Sequence, residues 1–131
     1  MPADLVPMYT AQRAGPGALF AAAVDPIVLI DREGRITGFN PAAERLYGWS
    51  AAEAVGSSIK DLLYLDPADF LAATRKTLLQ GEWVGEIKQV TREGRTRVVE
   101  GHWSLVHDEM GQPKSILAIN TDITERKQLE K

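Results

Sequence analysis

The sequence has 131 residues, of which 44% are hydrophobic and 25% charged, with a formal net charge of −3. Such a chain supports one domain with a moderate core, and its mild acidity gives no footprint for nucleic acid or an anionic membrane. It has no cysteine, which excludes disulfides, thiolate metal sites and cysteine nucleophiles and fits a cytoplasmic setting.

No apolar run approaches the roughly 20 residues that span a bilayer, and the N-terminus lacks the pattern of a signal peptide. Residues 1–16 hold three prolines and Gly15 without periodicity, and are expected to form a flexible tail. The segment from Gly17 to Val24 predicts a short helix, ended by Asp25-Pro26. Ile27-Val28-Leu29-Ile30 reads as a buried strand. Asp31-Arg32-Glu33-Gly34 is a tight turn, and Arg35 to Phe39 is the return strand of a hairpin.

Three short helices should follow, each with a start signal. Asn40 caps the first, Pro41 takes its first position, and Gly48 ends it; Leu46 and Tyr47 should pack. Ser50-Ala51-Ala52-Glu53 is a capping box, with Gly56 as the stop. Ser58-Ile59-Lys60-Asp61 is the third start. Asp66-Pro67 then opens the longest helix, running to about Gln80 and stopping at Gly81. Phe70, Ala73, Thr74, Thr77 and Leu78 share one of its faces.

The remainder reads as β. Glu82 to Thr91 is a strand, Arg92-Glu93-Gly94 a turn, and Arg95 to His107 a long strand; Asp108-Glu109-Met110-Gly111 is the last turn. The run Ser115-Ile116-Leu117-Ala118-Ile119 suits a strand buried on both faces. After Asn120-Thr121-Asp122-Ile123-Thr124 the chain turns charged and helix-favouring, with Thr124 as the expected N-cap. The sequence stops about two turns into that helix, which is expected to continue in a longer protein. The divisions expected are residues 1–16 as tail, 17–124 as the domain and 125–131 as the start of a signalling helix or linker.

This order of elements gives an α+β fold, an antiparallel sheet with helices on one face. The ordered motifs resemble a PAS domain, the sensory module of bacterial signal-transduction proteins. They are Val28-Leu29-Ile30-Asp31 with Gly34, Asn40-Pro41-Ala42, Tyr47-Gly48-Trp49-Ser50, Glu53 with Gly56, Trp83-Val84-Gly85-Glu86, Glu93-Gly94, Val106-His107-Asp108 with Gly111, and Asp122-Ile123-Thr124-Glu125-Arg126-Lys127. The resemblance covers about Leu19 to Lys131. It implies a five-stranded antiparallel sheet in the order 2-1-5-4-3, a homodimer, and a covalently linked output domain such as a histidine kinase of a two-component system or a diguanylate cyclase.

It also frames the cofactor question. Flavin photoreceptor members place an adduct-forming cysteine where Ile59 stands, and this chain has none, so that photochemistry is excluded. Asn120 matches the glutamine that faces the flavin in those members, but polar positions beside it read as apolar, for example Val99. Flavin stays open but disfavoured. Haem-binding members take a histidine from the long helix; Asp66 to Gln80 has none, so haem is disfavoured too.

Strand parity separates two faces. Val99, Gly101, Trp103 and Leu105 form the apolar, inward side of one strand. Val98, Glu100, His102 and Ser104 form the other. Trp83, Gly85, Ile87 and Gln89 group inward on the preceding strand, and family alignment places Ile116, Ala118 and Asn120 inward on the last. A small apolar ligand pocket is expected between sheet and long helix, bordered by Ile59, Leu62, Phe70, Val99, Trp103 and Asn120. Gly85, Gly101 and Ala118 leave room for a ligand, and Trp83 and Trp103 are candidates to fill it instead. Asp122, Ile123 and Thr124 are the expected signal relay. His102 and Glu100 share a strand face at i, i+2, but no third ligand is evident and no metal site is assigned. Two other readings stay beside the ligand-binding sensor: a ligand-free dimerisation and relay module, and a small α+β enzyme. The last lacks an inward carboxylate pair, a nucleophile–base pair or a phosphate loop.

Overall fold

The computed structural model describes residues 19–130 of the chain. The expected tail, residues 1–16, lies outside them. The helix expected before the first strand is present over residues 19–22 of the described part.

Five antiparallel strands form one sheet, in the order β2-β1-β5-β4-β3. They are β1 (Ile27–Asp31), β2 (Ile36–Phe39), β3 (Glu82–Val90), β4 (Thr96–His107) and β5 (Pro113–Asp122). Four helices lie between β2 and β3: α1 (Pro41–Tyr47), α2 (Ala51–Ala54), α3 (Ile59–Leu63) and α4 (Ala68–Gln80); α5 (Thr124–Leu129) follows β5. The α+β class and the sheet order are those expected.

Local chemistry explains the boundaries. Both REGR stretches close hairpins. Asp31 Oδ1 accepts the amides of Glu33 and Arg35, and Thr91 Oγ1 accepts the amide of Arg95. Gly34 and Gly94 sit at φ of 83° and 87°, a region that disfavours any side chain. Asn40 caps α1 through Ala43 N–H. Its buried amide also accepts from Ile27 N–H and donates to the carbonyls of Asp25 and Phe20, tying helix, strand and N-terminal segment together. Ser50 and Glu53 form the reciprocal capping box.

The core lies between the inner sheet face and the helices. Parity holds: Val99, Gly101 and Trp103 are buried on β4 while Glu100 and His102 are exposed, and Ile116, Ala118 and Asn120 are buried on β5. On α4, Phe70, Ala73 and Thr77 are buried as the spacing predicts. Thr74 is half-buried, and Leu78 is not buried: it is 47% exposed, although Thr77 beside it is sealed.

One expectation is corrected. Thr124 does not cap α5 through its side chain. Its Oγ1 accepts instead from Val98 N–H, 2.9 Å away on β4, so the hydroxyl is committed across the sheet. Asp122 takes over at the helix start: its Oδ1 accepts from Thr124 N–H at 3.0 Å and from Thr124 Oγ1 at 2.6 Å.

Candidate functional site

The space beneath the inner sheet face is taken by the buried indole of Trp103, with the half-buried indole of Trp83 against it. Gly85 and Gly101 do leave room, and the tryptophans take it. A Cβ at Gly85 would lie 2.7 Å from Trp83 Cζ2, and one at Gly101 would lie 2.8 Å from both Trp103 Nε1 and Trp83 Cζ3. The rings of Trp83 and Trp103 meet edge to face with centroids 5.0 Å apart, and Phe70 stacks on the far side of Trp103 at 5.9 Å. These are favourable aromatic separations.

Four of the expected pocket residues are therefore core. Ile59, Phe70, Val99 and Trp103 are all nearly sealed from solvent, and Leu62 is half-buried at their edge. The sixth, Asn120, is fully buried and polar. Its Oδ1 accepts from Trp103 Nε1–H at 3.0 Å, and its Nδ2 donates to Tyr47 OH at 3.2 Å. Tyr47 OH donates to Gln89 Oε1, and Gln89 Nε2 donates to Tyr64 OH at 2.9 Å. The result is one buried chain, Trp103–Asn120–Tyr47–Gln89–Tyr64. An indole N–H can only donate, so it fixes which way both amides face and the direction of every link. Burial pushes the phenols of Tyr47 and Tyr64 far above the usual tyrosine range, so both remain neutral. Against Asn120, where a flavin ring would have to lie, stands the Trp103 indole; these side chains do not fit that group.

An opening between sheet and α4 does exist, displaced from the expected place. It has a volume of about 140 Å³, with Ile30, Phe70, Leu71, Leu105 and Ile116 as apolar walls and Lys60 at its rim. Of the expected lining only Phe70 reaches it. Thr74 also lines it, and the Thr74 hydroxyl is buried without a hydrogen-bond partner.

Two residues beyond Asn120 the strand reaches the junction with α5. Ile123 is buried, and its N–H donates to Val98 C=O at 2.9 Å while Val98 N–H donates to Thr124. Val98 thus binds the junction through both of its backbone groups. Arg97 Nη1 approaches Asp122 Oδ2 at 3.7 Å. Further on, Lys127 Nζ pairs with Glu86 at 3.2 Å, which raises the lysine pKa and lays α5 against β3. The expected relay residues Asp122, Ile123 and Thr124 are thereby brought together with β4.

Sequence reasoning found Asn120 and Gln89 as inward polar groups. It read Tyr47 as packing only and did not single out Tyr64. Their spacing from the amides, 73 residues for Tyr47–Asn120 and 25 for Tyr64–Gln89, carries no local signal. His102 and Glu100 are exposed on the outer face, where His102 Nε2 lies 3.5 Å from Glu82. Among the described residues no three metal-binding side chains converge, and no helix is long and apolar enough to cross a membrane.

The sequence matches the family model described as PAS fold over residues 17–123. It is 33% identical over 112 residues to the signal transduction histidine-protein kinase AtoS of Escherichia coli strain K12, covering 83% of this chain and 18% of that protein. It is 30% identical over 124 residues to the sensor histidine kinase TmoS of Ectopseudomonas mendocina, covering 92% of this chain and 13% of that protein. The chain therefore spans only a small part of either relative's length. Among solved structures, the PAS domain of a protein from Colwellia psychrerythraea superposes with a TM-score of 0.77 at 31% identity, covering 88% of this chain and 97% of that one. The PAS domain of an HTR-like protein from Haloarcula marismortui gives 0.67 at 26% identity, covering 86% and 92%.

Proposed function

The chain belongs to the PAS family, and we propose that it is the sensory input domain of a larger signalling protein, relaying the state of its filled core through β5 and α5 to a covalently linked output such as a histidine kinase. The carrying observation is the buried polar chain: it passes through Asn120, two residues before the carboxylate that holds the first turn of the outgoing helix. Between them runs strand backbone paired with Gly101 to Val99 of β4, beyond the last β1 partner of β5 at Ile119. A relay of this kind needs two arrangements within a few kcal/mol of each other and an input that prefers one. Displacement of the Trp103 N–H from Asn120 would supply such a pair, because both amides are then free to turn over and reverse the chain.

The filled centre favours relay without a ligand at Asn120. Two copies would associate through the outer sheet face and the N-terminal segment. Leu19 and Val24 are 63% and 89% exposed there, beside half-buried Leu29, Leu117 and Ile119. The test is kinase autophosphorylation, with this domain fused to a histidine-kinase transmitter. Asp122→Ala and Thr124→Ala should lock output high or low while the domain remains folded. Signalling that survives both changes, with only a lower Tm, would remove the relay role.

A second reading rests on the displaced cavity. Its volume of about 140 Å³ has room for a small molecule, with apolar walls toward α4 and Asp31, Arg32, Glu33 and Lys60 also in its lining. The unpartnered Thr74 hydroxyl would favour an occupant with one acceptor group. Such a ligand would press on Phe70, which stacks on Trp103, and so would enter the same chain. Native mass spectrometry of the purified protein separates the two readings by showing a small molecule retained or none.

A further inference from the structure

Beside the helix junction lies a second feature that the relay does not use. It is a groove of about 220 Å³ lined by Arg45, Tyr47, Gly48, Glu93, Arg95 and Arg97 among others. Three arginines line it against one glutamate, in a chain whose net charge is −3. None of the three is well satisfied. Arg45 has no ion pair among the described residues. Arg95 approaches Glu93 only at 3.8 Å, with side chains 69% and 78% exposed, a contact of little worth in water. Arg97 is half-buried. Its Nη1 is 3.7 Å from Asp122, and its Nε is enclosed without an acceptor. A guanidinium has five donors in a fixed fork that suits carboxylate and phosphate oxygens, and leaving a buried charged donor unpaired is costly. The neighbouring Arg92 is already committed to Glu53 at 3.2 Å and to the face of Trp49 at 4.8 Å, so it adds no free charge.

We propose that this groove binds a small oxyanion, a carboxylate or phosphate group, and that the anion competes with Asp122 for Arg97. Asp122 Oδ2 makes only the long approach to Arg97, whereas Oδ1 carries both bonds to Thr124. An anion seated between Arg45, Arg95 and Arg97 draws the Arg97 guanidinium toward the groove. Asp122 then loses its counter-charge while still holding the helix start, and the junction is loosened from β4. Tyr47 also borders this groove, its hydroxyl turned into the buried chain. The site stands on the groove's own geometry; its effect on the outgoing helix rests on the relay reading.

The probe is inorganic phosphate, titrated into the ¹⁵N-labelled 131-residue chain at constant ionic strength, with chloride as the balancing anion. The expected result is a saturable shift of the Arg97 Nε–H and the Thr124 amide. The pair Arg45→Gln and Arg95→Gln should weaken binding roughly tenfold or more, as expected from losing charge-assisted bonds. It leaves Arg97 and Asp122 intact, so Tm should hardly move. Asp122→Asn removes the competitor and should tighten binding. Shifts that grow linearly like those in chloride, or that persist in the double glutamine variant, overturn the site. Saturation at Arg97 with an unmoved Thr124, or no gain from Asp122→Asn, overturns the competition and leaves the relay through Trp103 standing.

Discussion

Asn120 is the amide on which the proposed relay turns, and its buried bonds can be read one by one. It has one acceptor engaged by Trp103 and one donor engaged by Tyr47, and both neighbours are sealed from water. The phenols of that chain give a pH prediction. Folding favours their protonated forms, because their folded pKa values lie above the unfolded value of about 10. Their contribution is full below that value and is lost as pH rises through the folded ones. Stability should therefore fall from about pH 10 upward. Of the three tyrosines, two should show phenolate absorbance at high pH only as the protein unfolds. Two of three titrating normally in the native state would contradict this. At Gly101 the added methyl of Gly101→Ala meets both indoles at 2.8 Å, so it should cost about 1–3 kcal/mol in denaturant unfolding. The inward glycines and tryptophans were legible from strand parity, but whether the gap stayed open was not. That depended on indole orientations set by contacts between β3, β4 and α4.

At the scale of elements, periodicity and start signals placed the described helices and strands, although Ser58 ahead of α3 makes no side-chain cap. The junction before α5 departs further. A threonine ahead of a charged helical run reads as an N-cap, but its hydroxyl found a partner 26 residues away at Val98. Nothing within one helical turn announces such a partner. The two roles predict different mutants. Thr124→Ala leaves the Val98 amide without its acceptor and should cost about 1–3 kcal/mol, whereas Thr124→Ser keeps the oxygen and should cost little. Equal losses in both would point to the methyl group's packing instead. Ser50→Ala removes a side-chain cap that is present, and should cost about 1 kcal/mol. Thermal unfolding of the three variants orders them.

For the whole molecule, the fold follows from one requirement: a sheet with five strands must cover one face with helices and deal with the other. The outer face keeps half-buried Leu29, Leu117 and Ile119, and Phe20 lies over it close to Gly38, where a Cβ would come within 3.3 Å of the ring. Sedimentation should show concentration-dependent dimers, with Leu117→Glu shifting them to monomers without loss of far-UV signal; a monomer at high micromolar concentration would contradict the proposed association. The relay is the central claim, and it is tested most directly by the Thr124 amide in Trp103→Phe. That change removes the one obligate donor to Asn120, together with part of the indole's packing against Trp83 and Phe70. The account predicts that the NMR signals of residues 122–129 move, and that exchange of the Lys127 amide, bonded to Ile123 C=O, speeds up beyond the global loss of stability. Shifts confined to the surroundings of the indole, with Thr124 and α5 unchanged, would contradict it.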